Sequence, residues 1–144
     1  MTLKFLLDTS TLSAAISARP NRSVLSRLAE RGHHCAIAAL VWDELVFGCE
    51  RLEPGRRREE LESYVRDVVA VSFPILPYDA AAATWHAKER ARLVRQGRTC
   101  PFVDGQIAAI AVVRGLTLIT SNIKDFSSFR GLAVEDWAKS SKRK

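Results

Sequence analysis

The segment that decides the fold is Pro101 to Phe126, PFVDGQIAAIAVVRGLTLITSNIKDF. Nearly every residue from Gly105 to Val113 is small or apolar, which predicts a helix that is buried on most of its surface. Gly115 is expected to end this helix, and Leu116 to Thr120 has the pattern of a short buried strand. A buried helix that leads directly into a buried strand is typical of an α/β domain.

Asp104 is the one charged residue that this pattern places inside. It lies on the same side of the helix as Ile107, Ala108 and Ala111. A carboxylate on an apolar face is costly unless something neutralises it, which favours a functional role. The simpler interpretation is that Asp104 is a helix-capping or first-turn acid, and this residue alone does not decide between the two.

Composition predicts a single globular domain. The chain has 144 residues, of which 47% are hydrophobic and 26% charged. We expect the domain to occupy residues 1–137 and the basic segment 138–144 to be a disordered tail. The apolar runs are too short to span a membrane, and the start of the sequence lacks a signal-peptide pattern. The three cysteines match neither a disulfide framework nor a zinc site, so we expect a cytoplasmic protein without membrane contact.

The net charge of +6 and the isoelectric point of about 9.7 favour a polyanionic partner such as a nucleic acid. A long helix is predicted over residues 80–96, and Lys88, Arg92 and Arg95 form a basic stripe along it. These three side chains are candidate contacts to an RNA backbone. A solvated helix face explains the same stripe equally well.

Short apolar segments at residues 3–7, 35–39 and 116–120 alternate with helical patterns. Two further short segments, at 74–77 and 132–134, have a similar character. The alternation predicts an α/β domain with a mainly parallel sheet of about four to five short strands.

Polar residues follow two of these strands and border a third. Asp8 comes directly after the first strand, and Asn122 and Asp125 follow the strand LTLIT. Glu44 borders the apolar stripe of the helix that follows the second strand. Ligands of parallel sheets bind at the carboxyl ends of the strands, so these side chains and Asp104 converge if the three strands are neighbours.

A cluster of carboxylates repels itself unless a cation neutralises it. Since His and Cys are absent at ligand spacing, the oxygen-rich set favours a hard cation, Mg²⁺ or Mn²⁺. Such a cation polarises a phosphoryl oxygen and turns bound water into a nucleophile. In a basic chain, this combination predicts metal-dependent hydrolysis of phosphodiester bonds.

Four blocks of the sequence together resemble the acidic blocks of PIN-domain ribonucleases. They are LLDTSTL (6–12), DEL (43–45), PFVDGQIAAIA (101–111) and TSNIKDF (120–126). The short chain and the tripeptide Arg19-Pro20-Asn21 after the first block resemble the VapC-type toxins of bacterial toxin–antitoxin systems. The similarity extends from Leu3 to about Trp137, and the order and spacing of the four blocks make it specific.

The resemblance implies a PIN-like fold, in which helices cover both faces of the parallel sheet. It implies an endoribonuclease that acts as a toxin, binds a small antitoxin carrying a DNA-binding domain, and forms a homodimer. Asp8 and Asp104 match the family's metal ligands, and Glu44 matches its third acid. Trp42 and Phe47 fall off the main apolar stripe of their helix and would suit a dimer interface.

In the last block the family often has Asp where this chain has Asn122, and a further acid stands at Asp125. Either residue could complete the catalytic set. Ser10 and Thr120 match hydroxyl residues of the family that orient ligands or water.

Two other functions remain open at this point. A DNA-directed nuclease of the same fold would also need basic charge and metal, because only a contact to the 2′-hydroxyl distinguishes RNA from DNA. A non-catalytic PIN-fold interaction module would be expected to have lost one of the acids, and Asn122 is the only departure.

Overall fold

The computed structural model describes residues 2–139, and residues 140–144 of the expected tail lie outside this range. Its centre is one sheet of five strands in the order β3-β2-β1-β4-β5, and every neighbouring pair is parallel. The strands are β1 (Phe5–Leu7), β2 (Cys35–Ala38), β3 (Ile75–Leu76), β4 (Thr117–Ile119) and β5 (Val134–Glu135). This confirms the predicted α/β fold with a mainly parallel sheet of four to five short strands.

Helices connect the strands. They are α1 (Thr9–Ile16), α2 (Arg22–Arg31), α3 (Ala39–Glu50), α4 (Arg56–Tyr64), α5 (Ala70–Ser72), α6 (Ala80–Arg95), α7 (Phe102–Arg114) and α8 (Ile123–Phe126). A 3₁₀ turn, Gly32–His34, precedes β2, and a π-helical turn, Val65–Val69, joins α4 to α5. Among residues 2–139, no helix combines the length and the apolar character that crossing a membrane requires.

The core consists of the central strands and helix α7. Strand β2 is buried along its whole length, as expected for a parallel strand covered on both faces. Helix α7 is buried continuously from Ile107 to Ala111, which confirms the prediction made from its apolar run. Gly115 ends the helix in the left-handed conformation, with φ of 68°, where a side chain would be strained.

Helix α6 buries a partly polar face and leaves its small apolar residues Ala83, Ala87, Ala91 and Val94 largely outside. Val94 is 65% exposed. The buried face carries two polar residues, His86 and Glu89, beside Ala82 and Leu93. Both polar side chains have hydrogen-bond partners in the structure, so their burial does not leave unsatisfied groups.

Helices α6 and α7 approach each other closely at Gly105. A Cβ atom at this position would collide with Nε2 of His86. Glycine is therefore required here by the neighbouring helix, since it allows the first turn of α7 to lie directly against α6.

The topology creates one crevice at the carboxyl edge of the sheet. The chain adds β2 and β3 on one side of β1 and then returns to place β4 on the other side. Leu7 is in register with Ile119, so the residues that follow β1 and β4 emerge side by side. In parallel sheets this switch between β1 and β4 is the place where ligands bind.

Candidate active site

Asp8 is the most buried acid of the crevice. It follows β1 directly, and only 7% of its surface is exposed. The hydroxyl of Thr120 donates a hydrogen bond of 2.7 Å to Oδ2 of Asp8. Burial raises the pKa of Asp8 above its ordinary value, and the charge of Glu44 raises it further, while the Thr120 hydrogen bond works in the opposite direction.

A relay of hydroxyl groups fixes Asp8 and the turn after β4. The single hydroxyl proton of Thr120 is committed to Asp8, so Ser10 must be the donor in the 3.2 Å hydrogen bond between the two hydroxyls. Ser10 Oγ in turn accepts the backbone N–H of Ser121, and Thr120 Oγ1 accepts that of Asn122. The structure thus places Ser10 and Thr120, the two predicted hydroxyl residues, in direct support of Asp8.

Glu44 reaches the crevice from α3. Its carboxylate is exposed and accepts a hydrogen bond of 2.6 Å from the hydroxyl of Thr9. The buried Thr11 lies in the first turn of α1, as Thr9 does, and donates to the carbonyl of Ile119. These two threonines were not among the predicted site residues, although they flank Ser10 in the segment DTST (8–11).

Asp104 lies in the first turn of α7 and is half-buried. Its pKa is raised to about 6, mainly by burial and then by the charges of Asp8, Asp125 and Glu44. These acids come from three different elements, so Asp8, Glu44 and Asp125 all lie within electrostatic range of Asp104. The structure therefore brings together Asp8, Glu44, Asp104 and Asp125 from the predicted set.

Asp125 and Asn122, the two candidates for the last acidic position, differ in charge and in their hydrogen bonds. Asp125, on α8, is exposed, and its charge acts on Asp104. Asn122 is also exposed, and its recorded hydrogen bonds are made by its backbone. By this geometry Asp125 contributes charge to the acidic crevice, whereas Asn122 shapes the turn that leads to it.

The acids of the crevice match a hard cation in their chemistry. All of the donors are carboxylate or hydroxyl oxygens, the ligands that Mg²⁺ and Mn²⁺ prefer. Across residues 2–139, however, no three acid, His or Cys side chains stand close enough together to form a ready metal site. To share one cation, the carboxylates would have to lie closer together than they do in this structure, and the cation would offset their mutual repulsion.

The basic residues of α6 do not form one continuous charged face. Lys88 and Arg95 are exposed, as the stripe predicts. Arg92 instead turns towards Glu89, with 2.6 Å between Nη2 and Oε2, and its side chain is only 14% exposed. Its guanidinium also donates to the carbonyl of Ser128 at 2.9 Å. The charge of Arg92 is therefore neutralised within the protein by Glu89. Lys88 and Arg95 are the two residues of the stripe whose charges are exposed.

Known proteins resemble this chain in family, in sequence and in structure. The family model described as PIN domain matches residues 5–132. A tRNA(fMet)-specific endonuclease VapC from Shigella flexneri is 36% identical over 137 residues, covering 94% of this chain and 99% of the relative. Its counterpart from Salmonella typhimurium is 32% identical with nearly the same coverage, 94% and 98%.

Solved structures agree with these sequence relatives. The DNA-bound VapBC of Salmonella typhimurium superposes with a TM-score of 0.84 and 30% identity over 94% of this chain and 99% of that chain. FitAcB from Neisseria gonorrhoeae gives a TM-score of 0.84 and 27% identity over 92% and 97% of the two chains.

Proposed function

The chain belongs to the PIN-domain family and, within it, to the VapC ribonucleases, and we propose that it cleaves RNA with the help of Mg²⁺ or Mn²⁺. As an endoribonuclease it hydrolyses internal phosphodiester bonds. The single observation that supports the metal best is Asp104, whose pKa is raised to about 6, mainly by burial and then by the charges of three neighbouring carboxylates. Such a concentration of negative charge is unfavourable without a cation and becomes favourable with one.

In this proposal Asp8 and Asp104 are the metal ligands, and Glu44 and Asp125 complete the catalytic set. A bound divalent cation would polarise the scissile phosphate and lower the pKa of a bound water. Thr120 holds Asp8 in place through its 2.7 Å hydrogen bond, and Ser10 in turn holds Thr120. Thr9 holds Glu44 in the same manner. Asn122 supports the turn after β4 through its backbone.

The relatives suggest the substrate class and the partners. Two of them are named tRNA(fMet)-specific endonucleases, and the structural neighbours are toxin–antitoxin complexes, some bound to DNA. We therefore expect transfer RNA as the substrate. The partner would be a small antitoxin with a DNA-binding domain, and the toxin would form a homodimer. Its free cysteines Cys35, Cys49 and Cys100 suit the reducing cytoplasm, where transfer RNA is found.

The exposed apolar residue Phe47 supports the homodimer. It lies on α3 with 62% of its surface exposed, and the half-buried Trp42 lies on the same helix. Aromatic side chains are enriched at protein interfaces, so a dimer interface that covers Phe47 and Trp42 would account for their position. Light scattering at micromolar concentration tests this expectation, and a monomer would contradict it.

The nuclease test uses the toxin purified free of antitoxin. It is incubated with bulk tRNA, ribosomal RNA, single-stranded DNA and duplex DNA, each with EDTA or with Mg²⁺. We expect cleavage of tRNA that requires the metal and spares DNA. Cleavage that survives complete chelation in a clean preparation would refute the metal mechanism. Cleavage of DNA in place of RNA would assign the fold to a DNA nuclease, and no cleavage at all would support an interaction module.

A further inference from the structure

A second concave feature lies beside the acidic crevice. It is a cleft of about 130 Å³ between the carboxyl-terminal half of α6, the segment 98–102 and the segment 128–129. Its walls include two arginines, Arg90 and Arg98, and two phenylalanines, Phe102 and Phe129. None of the residues that line it within the described chain is acidic. The cleft is therefore aromatic and positively charged, in contrast to the crevice beside it.

The cleft and the acidic crevice share their supporting elements. Phe102 and Asp104 belong to the first turn of α7, within about one helical pitch of 5.4 Å. Phe129 follows directly after α8, the helix that carries Asp125. The side chains of Phe102 and Asp104 leave α7 in directions about 200° apart, so a nucleic acid strand bound at the acids would reach the cleft by passing around the amino-terminal end of α7.

Phe102 and Arg90 form a cationic platform at the mouth of the cleft. Phe102 is 51% exposed, so part of its ring is open to a ligand. The guanidinium of Arg90 lies over this ring, 4.8 Å from its centroid, and the ring of His86 meets it edge-on at 4.9 Å. Aromatic rings and guanidinium planes are the two surfaces on which proteins stack the bases of single-stranded RNA.

The charges of the cleft are available to an anion. Arg98 donates one hydrogen bond to the neutral side chain of Gln96, which leaves its positive charge uncompensated. The guanidinium of Arg90 lies over the face of the Phe102 ring, and this contact does not neutralise its positive charge. Arg92, by contrast, is on the same helix but is neutralised by Glu89. The arginines of the cleft thus differ from the structural arginine next to them.

We propose that this cleft is a base-binding subsite for a nucleotide that flanks the scissile phosphate. In this subsite the base stacks on the platform of Phe102 and Arg90, and the adjoining phosphate pairs with Arg98. The inference rests on the proposed function, because it takes the substrate to be RNA bound at the neighbouring acids. The cleft is too small for a folded partner segment and fits one planar group.

The test measures binding of a short fluorescein-labelled single-stranded oligoribonucleotide by anisotropy, in an Asp104→Asn background that prevents cleavage. Phe102→Leu, which keeps apolar volume but removes the ring, should weaken binding by about 5- to 100-fold without changing the salt dependence. Phe102→Tyr should bind like the parent protein, because it restores the stacking surface. Arg98→Gln should reduce the salt slope by about one phosphate contact. The matched control is Arg57→Gln, which removes an exposed charge from α4, away from the cleft.

A second set of probes separates stacking from other roles. Oligoribonucleotides with an abasic site at successive positions should lose affinity at one position, and Phe102→Leu should show no further loss with that probe. In the cleavage-competent protein, Phe102→Leu should raise KM for tRNA more than it lowers kcat. If wild type cleaves RNA but Phe102→Leu binds and cleaves like wild type, the subsite is refuted and the ribonuclease stands. If wild type cleaves no RNA in Mg²⁺, the proposed function is refuted, and so is the subsite, which depends on it.

Discussion

Two carboxylates that are withdrawn from solvent, Asp104 and Glu89, have opposite electrostatic environments. The pKa of Asp104 is raised to about 6, mainly by burial and then by three further acids. The pKa of Glu89 is lowered, first by its hydrogen bonds to Arg92 and also by the backbone N–H of Arg130 at 2.7 Å. Both acids lie on helices that pack against each other, so the difference comes from the partners that the chain supplies.

The comparison distinguishes an acid that stabilises the fold from an acid that awaits a ligand. Glu89 and Arg92 form a closed pair that also binds the segment 128–130, and this ties α6 to the region after α8. The charges that face Asp104 are negative. A fold that neutralises one buried acid internally but gathers like charges around another leaves the second site to an external cation.

The largest expected effect comes from Asp104→Asn. Removing this carboxylate should lower RNA cleavage by about 100-fold or more, because outer-shell changes at metal sites already cost 10- to 100-fold and this residue is a proposed ligand. The measurement is initial-rate cleavage of tRNA in Mg²⁺. The matched control is Asp43→Asn, which removes an exposed carboxylate next to Glu44 and should leave the rate within error of wild type. Equal losses of cleavage activity in both variants would show that activity depends on the overall charge of the protein and not on the acidic crevice.

Thr120→Val tests whether the hydroxyl relay positions Asp8. The substitution keeps the shape but deletes the 2.7 Å hydrogen bond to Oδ2, so cleavage should fall by about 10- to 100-fold. The variant should also need more Mg²⁺ for half-maximal rate, which a merely structural defect would not require. Thr120→Ser retains a hydroxyl and should recover most of the activity. A Val variant with unchanged rate and metal requirement would remove Thr120 from the site.

Glu89→Gln tests the other half of the comparison through stability. It removes the charge that Arg92 and the Arg130 N–H require, so it should destabilise the fold by roughly 1–3 kcal/mol. A depressed folded pKa contributes stability above the unfolded value of 4.5, and this stability is lost as the pH falls through the folded pKa. The difference between wild type and variant in denaturant unfolding should therefore be largest near neutral pH and shrink below about pH 4.5. A difference that stays constant with pH would show that the ion pair is not its cause.

The smallest effect is expected from the exposed cations of α6. Replacing both Lys88 and Arg95 by Gln should flatten the salt dependence of RNA binding by up to about two phosphate contacts. Adding Arg92→Gln to the double variant should change the stability of the fold. It should not change the salt dependence of RNA binding any further, because Arg92 is already paired with Glu89. A slope unaffected by the double variant would identify Lys88 and Arg95 as an ordinary solvated face.

The parts of the fold that local patterns determine were predictable from the sequence. The apolar run of α7, the glycine that ends it and the strand that follows are contiguous, so their order and burial could be predicted. A general rule also predicted that Asp8 lies near the residues that follow β4, because the carboxyl ends of parallel strands meet at one edge of the sheet.

The features that depend on distant partners were not predictable in this way. His86 and Glu89 are buried because Tyr78, Arg92 and Arg130 satisfy them, and no periodic pattern reveals those partners. The π-helical turn shifts the phase of the helix that begins at Arg56. As a result Val69 is buried, and Val68, which a regular helix would place on the same face as Leu61 and Val65, is 44% exposed.

The most direct test of the central claim is the thermal stability of wild type and Asp104→Asn, each in EDTA and in a Mg²⁺ series. In EDTA the variant should be as stable as wild type or more stable, by up to about 1 kcal/mol, because it relieves repulsion. Mg²⁺ should stabilise wild type according to RT ln(1 + [L]/Kd), about 2.7 kcal/mol at 100 Kd, and should stabilise the variant much less. Equal Mg²⁺-dependent shifts in both proteins would contradict the assignment of Asp104 as a metal ligand and, with it, the acidic crevice as a metal site.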